Sequence, residues 1–130
     1  MSEFEAVGLW IGLHVALLLA LKINVGRARN AEKVNFGDGG REPMQRPIRV
    51  QGNAVEDVPI ILLGLLGIAI MGGNTLLIHG FGAALLVSRT LHSLGLGRSS
   101  GGSFGRLAGT IGSLLVQLGV AGTCIWLAVT

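Results

Sequence analysis

The stretch Val58–Ser88, VPIILLGLLGIAIMGGNTLLIHGFGAALLVS, runs for 31 residues without an Asp, Glu, Lys or Arg. A bilayer core of about 30 Å takes about 20 apolar residues as a helix. The stretch is too long for one crossing and suits parts of two. Met71-Gly72-Gly73-Asn74 in its middle has the residues of a tight turn. Working outward, a second uncharged run covers Leu107 to Thr130, and a third covers Ala6 to Leu21. The pattern predicts an all-α integral membrane protein, a single membrane domain over residues 1–130. Its four transmembrane helices are placed at about 5–25, 48–71, 75–95 and 106–129. A long polar loop (26–47), the 72–74 turn and a Gly/Ser-rich loop (96–105) would join them.

Composition excludes the alternatives. Apolar residues make up 50% of the chain, Gly supplies 22 more positions, and charged residues only 13%. An ordinary soluble domain has about 25% charged residues, and a small one needs them to cover its surface. High hydrophobicity with a net charge of +3 excludes a disordered chain. The single Cys124 excludes a disulfide within the chain. A cleaved signal peptide wants a basic start. This chain begins with Glu3 and Glu5 and reaches Lys22 only at the far end of the first span, so that span reads as retained.

The ten basic residues all lie in or beside the first and third connections, from Lys22 to Arg49 and from Arg89 to Arg106. With four spans these connections share one side, and the positive-inside rule makes it cytoplasmic. Both termini are then expected on the other side. Basic loops facing anionic lipid account for the high pI. Nucleic acid is not an expected partner, because no basic and aromatic reading surface is visible.

Small residues allow helices to approach in lipid. Gly8 and Gly12, Gly64 and Gly67, Gly105, Gly109 and Gly112, and Gly119 and Gly122 are the candidates. Asn24, Gln117 and Thr110 read as interhelical hydrogen-bonders, and Cys124 as an inert thiol in an apolar helix. His14 and His79 have no second ligand at metal spacing, so no metal is expected.

Ionisable groups at membrane depth are costly and mark functional positions. The second span opens with Arg49-Val-Gln51-Gly-Asn53-Ala-Val-Glu56-Asp57-Val-Pro59. At 100° per residue, Asn53 falls about 40° and Glu56 about 20° from Arg49, on one stripe. Arg takes a carboxylate bidentately, Asn a peptide group, and Glu an ammonium. Such a stripe suits a zwitterionic ligand, and equally an internal salt-bridge ladder. Pro59 removes the hydrogen bond to the Val55 carbonyl, so a bend or loosened turn is expected there. Arg89 and His92, at i and i+3, share a face near the end of the third span. With Arg27, Arg29, Arg98 and Arg106 they gather positive charge at the level of Arg49, attractive to an anion and able to lower a thiol pKa.

The run Arg49-x-Gln51-x-Asn53-x-x-Glu56-x-x-Pro59, opening a second span, resembles the membrane-associated proteins in eicosanoid and glutathione metabolism, the MAPEG family. Microsomal glutathione transferases and leukotriene and prostaglandin E synthases are members. The four-helix layout and the cluster of arginines fit too. The resemblance implies a homotrimer, with glutathione as co-substrate between adjacent subunits near the cytoplasmic face. Arg49, Asn53 and Glu56 would hold its backbone and charged ends, and Gln51 would add a polar contact. Arg89 and His92 match the Arg-x-x-His of prostaglandin E synthase-like members. Arg106 is nearest to the arginine thought to stabilise the thiolate, with Arg98 as a substitute if the register differs. Arg29 or Arg27 would match an arginine ending the first helix. The chain has no Tyr. Some members carry one after the motif Glu, where Asp57 stands, and on the third helix, where Leu96 stands. The implied activity is a glutathione transferase, or peroxidase, acting on a hydrophobic small molecule or lipid. The alternative is a non-catalytic trimer binding a lipid or a partner protein.

Overall fold

A computed structural model describes residues 1–98 and 102–130, with the helical backbone alone at Arg98. The described residues form four helices: α1 (Glu3–Glu32), α2 (Glu42–Ile70), α3 (Thr75–Arg98) and α4 (Phe104–Val129). Three of them, α1, α2 and α4, are long and apolar enough to cross a membrane. The third carries His79, Arg89 and His92 along a run that is otherwise mostly apolar.

Helix α2 shares the centre of the bundle with α3. It packs against α1, α3 and α4, and α3 touches the same two outer helices, whereas α1 and α4 do not meet among the described residues. Val58, Ile61, Leu65 and Ile68 of α2 are buried at heptad-like spacing, the stripe by which a helix meets its neighbours. Against them lie Ala6 and Val7 of α1, Ile78 and Leu85 of α3, and Val116 and Val120 of α4. The outer faces stay apolar: Leu63 is 62% exposed and Leu118 is 71% exposed. Water would not tolerate so much uncovered hydrocarbon, and lipid does.

The first two helices outrun their predicted spans. Span length was set by membrane thickness, and a helix continues past it wherever polar residues keep helical geometry. The loop predicted at 26–47 therefore shrinks to 33–41. Lys33 ends α1 in the left-handed conformation with φ 56°, and Gly37, Gly39 and Gly40 also take positive φ. Arg29 Nη1 donates to the Gly37 carbonyl at 2.9 Å, and Arg41 Nη1 to the Glu32 carbonyl at 2.8 Å. Asp38 accepts from the Gly40 N–H at 2.9 Å. That bond holds the Asp38 carboxyl below its ordinary pKa. Pro43 suits the first turn of α2. The 72–74 turn is observed, with Gly72 at φ 74°. Helix α2 stays helical through Pro47 and Pro59. The predicted 96–105 loop shortens to the stretch between Arg98 and Phe104, where Ser103 caps α4.

The glycines divide into two groups. A Cβ at Gly105 would lie 2.9 Å from the Leu91 carbonyl, and one at Gly109 would lie 2.6 Å from His92 Cβ. Gly112 meets Ser88, Gly64 meets Val120, and Gly119 meets Phe81. These positions let α4 approach its neighbours closely. A Cβ at Gly8, Gly12 or Gly122 would meet nothing within 4 Å among the described residues. Cys124 Sγ contacts the Gly64 carbonyl at 3.4 Å. Thr110 bonds within its own helix, to the Arg106 carbonyl at 2.9 Å, rather than across helices.

Candidate functional site

The predicted stripe on α2 is present, and only part of it faces inward. Arg49 Nη1 lies 3.8 Å from Glu56 Oε1, with the two side chains 67% and 62% exposed. Asn53, between them, turns its amide toward α3, where Nδ2 is 3.5 Å from His92 Nε2. Gln51 is half-buried on α2, about 200° from Arg49 and so off the stripe.

Beneath the stripe lies a buried cation. Arg89 is 2% exposed. Its Nη1 reaches Asp57 Oδ2 at 2.9 Å and the Asn53 carbonyl at 3.4 Å, and its Nη2 reaches the Gly109 carbonyl at 3.2 Å. One guanidinium thus ties α2, α3 and α4 together. A charge at this depth needs a counter-ion and hydrogen bonds, and Asp57 supplies the counter-ion. His92, one turn along, is 4% exposed and packs on Gly109. Arg106 sits three residues before Gly109, in the first turn of α4. Its backbone N–H donates to the Ser103 hydroxyl at 3.3 Å, the cap of α4. The Arg106 side chain is exposed, and its backbone passes directly over Gly95 of α3.

The structure therefore brings together Arg49, Asn53, Glu56, Arg89 and His92, with Arg106 at the same end of the bundle. Arg29 is spent on closing its own helix, and the Arg98 side chain lies outside the described residues. Asp57 is the residue that sequence reasoning missed. A buried Arg89 demands a carboxylate, and Asp57 sits one turn after Asn53, but nothing in the spacing shows that α3 crosses α2 there. Trp10 was missed as well. Its indole N–H donates to His79 Nδ1 at 3.1 Å, and its ring covers Gly82. His14 donates from Nδ1 to the Trp10 carbonyl at 2.7 Å.

The cluster is a polar site at the basic end of a bundle of four helices, three of them long and apolar enough to cross a membrane. The MAPEG family model matches residues 7–126, and the chain belongs to the MAPEG family. The chain is also 37% identical over 87 residues to the inner membrane protein YecN of Escherichia coli strain K12, and equally to YecN of strain CFT073. The matched stretch covers 67% of this chain and 66% of each YecN chain. It is a membrane protein.

Proposed function

We propose that this protein is a membrane glutathione transferase. The observation that carries the reading is the Arg49–Asn53–Glu56 stripe at the basic end of a MAPEG bundle, with Arg49 and Glu56 exposed and Asn53 half-buried between them. At 3.8 Å and with both side chains largely exposed, the Arg49–Glu56 pair is weak. Each partner is available for exchange: Arg49 for a glutathione carboxylate, Glu56 for its ammonium. The Asn53 amide then meets a peptide group. The buried Arg89–Asp57 pair fixes the backbone from which Asn53 projects. Arg106 stabilises the thiolate by charge, so the thiol proton passes to water and the pKa falls from about 8.5. The thiolate sulfur attacks an electrophilic carbon arriving from the bilayer. A C–S bond forms and the leaving group departs with its electron pair. The subunits associate as a homotrimer, the stripe faces the cytoplasm and both termini lie opposite.

The test is glutathione binding to the purified, detergent-solubilised protein, followed by ultraviolet difference absorbance in the thiolate band. Saturable binding with a thiolate signal is expected. Absence of binding at millimolar glutathione overturns the reading. One observation favours the second reading, a non-catalytic lipid- or partner-binding module. The chain lacks Tyr, and the position after Glu56 is Asp57, engaged by Arg89. That reading predicts a folded oligomer with no glutathione-dependent turnover.

A further inference from the structure

Two hollows of about 260 Å3 each open where α1, α2 and α3 meet at the basic end. The outer one is lined by Asn24, Ala28, Pro43, Arg46, Pro47 and Gly97. The inner one runs on past Ala20, Leu21, Val50, Ser93 and Leu94. Asn24 and Gly97 line both, so the two form one crevice, polar at the mouth and mostly apolar below. None of the residues of the proposed glutathione stripe lines it.

Helix register sets the depth. Asn24 closes the first apolar span and Arg46 precedes the second, so the mouth lies at headgroup level and the lower part in hydrocarbon. Arg46 Nη2 is 3.3 Å from Glu42, while its Nε is buried without a hydrogen-bond partner. Arg46 lines the mouth of the crevice with its side chain 30% exposed, so an acceptor in the crevice can approach the guanidinium. A guanidinium matches phosphate oxygens in shape and charge. Gly97 keeps the middle open, since a Cβ there would meet nothing within 4 Å. We infer that the crevice is a site for one phospholipid, its phosphate on Arg46 and Asn24 and one acyl chain along Leu21, Val50 and Leu94.

Native mass spectrometry of the delipidated full-length protein, titrated with dioleoylphosphatidylglycerol, tests this. One tightly held lipid per protomer is expected. Arg46→Gln and Gly97→Leu should each weaken it at least tenfold, the first by removing the charge and the second by filling the crevice. Circular dichroism melting of both variants checks that they fold, and Gly97→Leu has open space to enter. Millimolar inorganic phosphate should not displace the lipid, and displacement would make the ligand a free anion instead. Lipid retention equal to wild type in both folded variants overturns the site. So does a change of oligomeric state in Gly97→Leu, which would assign the crevice to a second copy.

Discussion

At the scale of single residues, the Arg89–Asp57 pair decides most. Arg89 is buried and Asp57 is about a third exposed. Asp57→Asn leaves a buried guanidinium without its counter-ion and should cost about 2–3 kcal/mol in detergent unfolding, toward the low end because one partner is partly solvated. A loss under about 0.5 kcal/mol would mean that the carbonyls of Asn53 and Gly109 suffice. Glu56→Ala should leave the melting temperature unchanged and weaken glutathione binding about tenfold, since Glu56 is exposed and weakly paired. Isothermal titration checks this, and unchanged affinity removes Glu56 from the site. Arg106→Ala should lower turnover by about 2–4 kcal/mol of transition-state stabilisation, as loss of a preorganised charge does, with a much smaller effect on binding. Steady-state kinetics against binding separates the two. The Arg49–Asn53–Glu56 stripe was legible because helical period alone puts those residues on one face. The Asp57 pairing was not, because it depends on where another helix crosses.

At the scale of helices, the small residues of α4 set the distance to α3. Gly109→Val would force a side chain against Ser88 and His92 and should destabilise by about 1–3 kcal/mol. Gly12→Ala meets open space and should stay within about 0.5 kcal/mol of wild type in the same melting experiment. The sequence could not sort these glycines, because small-xxx-small spacing says nothing about what stands opposite. The helix ends were also only partly legible. Hydropathy marks where lipid begins, whereas α1 stops at Lys33, where the backbone turns left-handed and Arg29 and Arg41 tie down the carbonyls around the end.

At the scale of the whole molecule, α2 and α3 form the centre and α1 and α4 lie on opposite sides. Membrane residence and four-helix layout followed from the charge-free runs, since few other folds can place 31 uncharged residues in a row. The apolar outer faces suit lipid, and nothing in the period of one chain's sequence marks a part of them for a neighbouring copy. Cross-linking in native membranes should trap a trimer, and a ladder ending at dimer would contradict it.

The two tryptophans are placed as unlike optical probes. Trp126 is 59% exposed on the outside of α4, whereas the Trp10 indole is hydrogen-bonded to His79 and rests on Gly82 between α1 and α3. Brominated lipids should therefore dim Trp126 strongly and Trp10 weakly. With Trp126→Phe, the remaining emission reports the docking of α1 on α3, so assembly of the bundle can be watched without a label.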